Sequence, residues 1–183
     1  MRIYDAILVR DGRAWVCSRA RGRVLEIGIG TGLNLRRYPE GTALTGIDVS
    51  PEMLRLARRR ADMLKRRVDL RLGDAESLEF PGESFDTVVF TFALSTIPDD
   101  RRAIAEARRV LVPDGRLLVL DHGQGRGFTR SLQRLSAFFT SRLYADQRLR
   151  DPLEQVRAQG LIVDEVEHVS GGWIERLSAR KPG

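Results

Sequence analysis

The chain has 183 residues, 42% hydrophobic and 31% charged, which suits one folded domain long enough to bury a core without covalent staples. A single cysteine, Cys17, excludes a disulfide framework and a cysteine metal cluster. No charged-then-apolar leader pattern and no apolar run near the roughly 18 residues of a membrane span occurs, so a cytoplasmic location is expected. The formal net charge is +6, and only Lys65 and Lys181 among the basic residues are lysine. A surface drawn to nucleic acid or anionic lipid is one reading of this excess; arginine codons of a G·C-rich genome are the other. Arg55, Arg58, Arg59, Arg60, Arg66 and Arg67 cluster without interleaved aromatics, unlike a base-stacking groove, so nucleic acid is not an expected partner.

In chain order, residues 1–22 read as a helix carrying Tyr4, Ile7, Leu8, Trp15 and Val16. An apolar strand at 23–27 runs into Gly28, Gly30 and Gly32, then into a helix expected at 32–37 and stopped by Pro39. A second strand spans 43–49. Ser50-Pro51-Glu52 starts a helix over 51–65, with Ser50 as cap, proline at the first helical position and an acid in the first turn. A third strand, 68–72, precedes Gly73-Asp74-Ala75, and a fourth covers 85–91, where Val88, Val89 and Phe90 read as buried on both faces. A helix at 99–111, a turn at Pro113-Asp114-Gly115 and a fifth strand at 116–120 lead to Asp121-His122. A glycine-rich link, 123–127, precedes a basic amphipathic helix at 129–145. A helix at 151–159 and strands at 161–168 and 173–179 complete the pattern. Strands alternating with helices predict a Rossmann-like α/β fold, a doubly wound, mostly parallel sheet ending in an antiparallel hairpin strand.

The glycine turn carries the chemistry. Glycines between a strand and a helix permit a sharp bend and a close ligand approach. Their spacing is Gly-x-Gly-x-Gly, with Leu33 where a dinucleotide site has its third glycine, and no Lys-Ser/Thr pair follows as a phosphate loop requires. Glu26 precedes the first glycine, a poor neighbour for a pyrophosphate and a good one for a cation. Asp48 stands 20 residues after Gly28, at the end of the next strand, where a carboxylate accepts from ribose hydroxyls. A ribose-bearing, phosphate-free, cationic ligand satisfies all three conditions, and S-adenosyl-L-methionine is such a ligand.

The chain resembles the class I S-adenosylmethionine-dependent methyltransferases. The resemblance rests on Val24–Gly32, Gly46–Leu54, Gly73–Glu76, Ser84–Val88 and Glu106–Gly115, five blocks in the family's order covering nearly the whole chain. Within the class it is similar to the quinone-biosynthesis, soluble phosphatidylethanolamine N-methyltransferase and alkyl-thiol methyltransferase groups. The resemblance implies a seven-stranded sheet, S-adenosyl-L-methionine as methyl donor and S-adenosyl-L-homocysteine as product. It implies that Gly28, Gly30 and Gly32 pack against the methionine and ribose portions, with Glu26, Thr31 and Asn34 in the same loop. It further assigns Asp48 to the ribose and Val49 and Met53 to the adenine border. Gly73, Asp74 and Ala75 go to the adenine edge, with Asp74 accepting from the exocyclic amine, and Thr91, Phe92 and Leu94 to the methyl-donor side. Tyr4 is expected to close over the cofactor.

Each assignment has a structural alternative. Asp74 also suits a turn, Met53, Phe92 and Leu94 also suit the core, and Tyr4 also suits an N-terminal anchor. Cys17 reads as a small buried hydrophobe and His168 as structural. His122 follows the fifth strand, where ligands of open α/β sheets bind, and imidazole is the side chain suited to proton transfer near neutrality. The resemblance supports an acid–histidine pair there, so Asp121 and His122, with Tyr4, are the expected catalytic residues; a histidine that only shapes the pocket wall is the alternative. Residues 123–150 depart most from the shared blocks and are the expected substrate lid. Leu132, Leu135, Phe138, Phe139 and Leu143 form an apolar face there, beside Arg130, Arg134 and Arg142, which suits an apolar acceptor or peripheral membrane contact. The expected function is methyl transfer to a small apolar or amphiphilic acceptor, such as a lipid amine, quinone precursor or thiol. A nucleic-acid or protein methyltransferase and a non-catalytic cofactor-binding subunit stand as alternatives; Thr91-Phe92-Ala93-Leu94 occupies the place of the motif for amino-group methylation of bases.

Overall fold

A computed structural model describes residues 2–122, 152–169 and 174–183, with side chains from residue 11 onward. Seven strands form one sheet: β1 (Arg23–Ile27), β2 (Ala43–Asp48), β3 (Asp69–Leu72), β4 (Phe85–Thr91), β5 (Leu111–His122), β6 (Ile162–Val169) and β7 (Ile174–Arg180). Their order is β3-β2-β1-β4-β5-β7-β6. The pairs from β3 through β5 are parallel, and β7 lies antiparallel between β5 and β6. The expected doubly wound sheet with an antiparallel hairpin strand is therefore the observed one, with the reversed strand set inside the sheet.

Among the described residues four α-helices flank it: α1 (Arg2–Arg19), α2 (Pro51–Met63), α3 (Asp100–Val110) and α4 (Pro152–Ala158). Alternation of side chains along each strand divides the core. Val24, Val89, Leu118 and Leu120 pack with Trp15, Val16 and Cys17 of α1 and Leu54 and Ala61 of α2. Leu25, Val88, Phe90 and Val119 pack with Ile104, Ala107 and Val110 of α3 and Val156 of α4. β1 and β4 are buried on both faces because both are covered, as parallel strands require.

The helix starts are capped as their residues dictate. Ser50 Oγ accepts from Met53 N at 3.3 Å, with Pro51 next, and Asp99 Oδ1 accepts from Arg102 N at 3.0 Å. The Pro113-Asp114-Gly115 turn does not precede the fifth strand as expected. It is absorbed within β5, where the β4 pairing jumps from Phe85–Leu111 to Thr87–Arg116, and Asp114 N donates to Lys181 O at 3.1 Å. The helix expected at 32–37 does not form. Residues 31–37 are successive turns, held by Leu35 N to Gly32 O and Arg37 N to Asn34 O. Gly32 has a left-handed backbone, and few residues separate it from Pro39, so a helical nucleus has no room to propagate. A short 3₁₀ turn, Leu94–Thr96, follows β4 and was not legible beforehand. The basic helix expected at 129–145 lies outside the described residues.

Candidate active site

The site is built where parallel strands end. Gly28, Gly30 and Gly32 have φ of +69°, +55° and +74°, a region that costs an L-residue about 1–2 kcal/mol. The three glycines divide their work. A Cβ at Gly28 would lie 2.5 Å from Ala93 Cβ, and one at Gly32 would lie 2.8 Å from Leu35 Cδ1 and 3.3 Å from Ala57. These two allow the turn to pack against the protein itself. A Cβ at Gly30 would meet nothing within 4 Å among the described residues, so of the three Gly30 alone faces open space there.

Asp48 gathers the loops that follow β1, β2 and β3. Its Oδ2 accepts from Gly30 N and its Oδ1 from Ser50 N, both at 2.9 Å, while its carbonyl accepts from Gly73 N at 3.1 Å. A carboxylate offers about four acceptor sites, so each oxygen retains capacity for a ligand hydroxyl. Asp74 Oδ1 accepts from Glu76 N at 2.9 Å, closing its own turn, and Ala75 is buried. Val49 and Met53 are 69% and 38% exposed at the rim. Thr31 faces α2, where Arg60 Nη1 donates to its Oγ1 at 3.0 Å and to its carbonyl at 2.6 Å.

Beneath the turn lies a buried polar network on the α1 side of the sheet. Asn34 Nδ2 donates to Glu26 Oε1 at 2.6 Å and to Thr91 Oγ1 at 3.0 Å, and Asn34 Oδ1 accepts from Arg13 Nη1 at 3.0 Å. Glu26 is 2% exposed; burial pushes its carboxyl up to about 7, against the opposing effects of the Asn34 hydrogen bond, Tyr38 and Arg13. Burial, and next the charge of Glu26, push the neighbouring Cys17 thiol and Tyr38 phenol up as well. Cys17 is thus a buried, unreactive thiol.

The wall beyond β4 is formed by Phe92 and His122. Phe92 has φ +53° and is held there by its N–H, which donates to Leu120 O at 2.7 Å. Its ring centroid lies 5.1 Å from that of His122, tilted by 48°, and the Arg13 guanidinium carbon lies 5.2 Å from the Phe92 centroid. Leu94, by contrast, is 2% exposed and belongs to the core on the α3 side; it does not line the open side of the turn.

The expected Asp121–His122 side-chain pair does not form. Adjacent strand residues point to opposite faces. The Asp121 carboxylate is fully buried on the α3 side, where Oδ2 accepts from Ser95 N at 3.1 Å, and Oδ1 accepts from the His122 backbone N–H at 2.7 Å. His122 is exposed on the Phe92 side. Asp121 therefore fixes the 3₁₀ turn and orients no imidazole. His168 lies 3.2 Å from Glu175 across β6 and β7. The Tyr4 side chain lies outside the described residues. Arg13 and Tyr38 were missed by sequence reasoning, since nothing local marks a helix arginine 21 residues before Asn34. A groove of about 870 Å³ lined by Thr45, Leu64, Arg66 and Val68 opens at the other end of the sheet, away from the carboxyl ends of the strands where ligands of such sheets bind.

Two predictions follow from this geometry. Gly28→Ala is expected to lose about 2 kcal/mol or more, from positive φ and the Ala93 contact; Ala93→Gly in the same chain should restore part of that loss in denaturant unfolding, and no restoration would contradict the packing role. For Glu26, burial raises the folded-state pKa from 4.5 to about 7. Its contribution to stability is most favourable below the unfolded value and is lost as pH rises through 7. Glu26→Gln should therefore gain on the parent chain between pH ~4.5 and ~7, by about 3 kcal/mol at most. Urea unfolding across that range checks it, and a difference independent of pH would refute it.

Similarity to known proteins agrees with this architecture. The family profile described as "Methyltransferase domain" matches residues 25–119. A phosphatidylethanolamine N-methyltransferase of Cereibacter sphaeroides is 40% identical over 125 residues, 67% of this chain and 62% of that protein. A demethylmenaquinone methyltransferase of Tropheryma whipplei is 38% identical over 113 residues, 61% of this chain and 46% of that protein. The chain thus spans about half to three-fifths of the length of these relatives. Among solved structures, YcgJ of Bacillus subtilis superposes with a TM-score of 0.70 at 20% identity, covering 97% of both chains, which speaks to fold alone. The [4+2]-cyclase SpnF superposes with a TM-score of 0.74 at 25% identity, covering 96% of this chain and 80% of its own. Since the family profile covers more than half of the sequence and both strand-end motifs, the chain belongs to the methyltransferase-domain family.

Proposed function

We propose that this chain transfers a methyl group from S-adenosyl-L-methionine to a small apolar or amphiphilic acceptor and releases S-adenosyl-L-homocysteine. The observation that carries the reading is the Gly30–Asp48 hydrogen bond beneath an opening that no side chain among the described residues fills. The residues present fit this cofactor. Asp48 keeps lone pairs for ribose hydroxyls, Gly30 admits close approach, the Asp48 carboxylate suits a cation and opposes a pyrophosphate, and Glu26 would shape the loop from beneath through Asn34. Val49 and Met53 would border the adenine, with Gly73, Asp74 and Ala75 along its edge. Thr31 and Asn34 would hold the loop in shape, and Gly28 and Gly32 would do so by packing.

When bound, the cofactor supplies an intrinsically activated methyl on a sulfonium. The protein's part is then alignment, which accounts for much of the rate in such reactions. Phe92 and Thr91 would form the wall on the acceptor side, and His122 would take the proton released by the acceptor atom at an imidazole nitrogen. In this reading the chain is a single domain in which residues 1–22, with Tyr4, cap the site and 123–150 cover the acceptor. The relatives whose names specify phosphatidylethanolamine and demethylmenaquinone act on lipids. Their acceptors support a lipid-class substrate here, met at a membrane surface through 129–145. No helix among the described residues is long and apolar enough to cross a membrane.

Incubating the protein with methyl-labelled S-adenosylmethionine and a fractionated extract tests the reading. Label is expected in the lipid-extractable fraction, and label confined to protein or nucleic acid would overturn it. Asp48→Asn should raise the cofactor dissociation constant by about 10- to 100-fold in calorimetry, the loss of a charged acceptor; an unchanged constant removes Asp48 from the site. His122→Ala should lower turnover about 100-fold while the cofactor constant changes about twofold at most. Equal turnover would leave His122 as part of the wall only.

A further inference from the structure

We infer that Arg13 is a positioning residue that joins the cofactor loop to the acceptor wall. Helix α1 approaches β5 closely. A Cβ at Gly12 would stand 2.7 Å from Leu120 Cδ1, so the bare glycine lets the helix rest on that strand and sets the base of the next side chain. Arg13 then reaches two targets that no single element connects. Its Nη1 donates to Asn34 Oδ1 at 3.0 Å, and its guanidinium carbon lies 5.2 Å from the Phe92 ring centroid.

The first contact decides how Asn34 sits. With its oxygen held by the guanidinium, the amide nitrogen faces Glu26 Oε1 and Thr91 Oγ1. The flipped amide would set an NH₂ against a cation and give up the bond that the amide nitrogen donates to Glu26 Oε1. Arg13 thereby fixes the residue that braces the glycine turn against β1 and β4. The second contact acts on the wall. The Phe92 ring contacts the His122 ring, and the Phe92 backbone hangs from the carbonyl of Leu120, the residue on which α1 rests. A cation over that ring is attracted to the face of its π-system and selects one ring orientation, and with it the surface that His122 meets. Arginine suits both tasks because its planar fork donates along one edge while its face stacks on an aromatic ring. A lysine ammonium offers a point charge and cannot keep both contacts.

The expected effect on turnover rests on the methyl-transfer reading; the effect on His122 does not. The test uses the full chain. It has two histidines, His122 and His168, so the ring proton resonances of each can be followed by NMR, with His168 as the internal control on β6. Arg13→Met is expected to shift the His122 resonances and leave those of His168 in place. With S-adenosylmethionine as the calorimetric probe, its dissociation constant should rise about threefold, and kcat should fall about tenfold as alignment is lost. Arg13→Lys should return the His122 resonances and most of kcat by restoring a cation over Phe92, while the cofactor constant stays raised for want of the Asn34 bond. Should Arg13→Met fail to fold, Arg13→Lys carries the test through that split between kcat and cofactor affinity. Unmoved His122 resonances in the methionine variant, joint movement of both histidines, or equal loss of kcat and affinity in the lysine variant would overturn the assignment. Absence of methyl transfer in the parent chain, with His122 still responding to Arg13, would refute the proposed function and leave the positioning role standing.

Discussion

The hydrogen bond from the Asn34 amide to the buried Glu26 carboxyl is the constraint on which the site depends. A carboxyl set in the middle of a parallel sheet must find a donor or be neutralised. Here the donor is delivered by the chain itself, which curls back over β1 within eight residues. That return path needs left-handed backbone at three points, which is why glycines stand at 28, 30 and 32, and it consumes the residues that would otherwise begin a helix. The same amide reaches Thr91 on β4, so the turn is stitched across two neighbouring strands. What remains open is the one glycine that packs against nothing, with a carboxylate behind it.

Much of this was legible in the sequence because it is local. Strand and helix identity came from periodicity and from the Ser50 cap, and the Gly-x-Gly-x-Gly spacing with Asp48 at the next strand end marked the candidate site. What was not legible depends on contacts between distant segments. The failed helix at 32–37 reflects the tertiary demand on Asn34, which overrides a weak local propensity. The separation of Asp121 from His122 follows from side-chain alternation once a strand reaches residue 122, and the sequence alone placed the strand end two residues earlier. Leu94 went to the core because an unforeseen 3₁₀ turn aims it at α3. Arg13 left no local trace at all.

The scaffold fixes the cofactor end more firmly than the reaction. Proteins named phosphatidylethanolamine N-methyltransferase and demethylmenaquinone methyltransferase are 40% and 38% identical to this chain over 125 and 113 residues, and a [4+2]-cyclase shares its architecture. The family profile covers residues 25–119, which hold β2 to β4 and most of β1 and β5. In the proposed reading, acceptor chemistry falls to the other side, where Phe92 and His122 stand. A fold of this kind therefore narrows the donor and leaves the acceptor to a few side chains.

The placement of β7 between β5 and β6 has a bearing on how the protein is made. The first five strands can pair in the order in which they emerge, each docking beside one already present. β6 cannot join them on its own, because its neighbour in the finished sheet has not yet been synthesised when it appears. Until residues 174–180 leave the ribosome, β5 carries an open hydrogen-bonding edge and β6 has no partner among the described strands. Such an edge is a template for pairing with other chains, and its closure waits on contacts about 60 residues apart in sequence, the kind that form slowly. The vulnerable interval thus lasts until β7 is made and is confined to one side of the sheet, the side that carries His122.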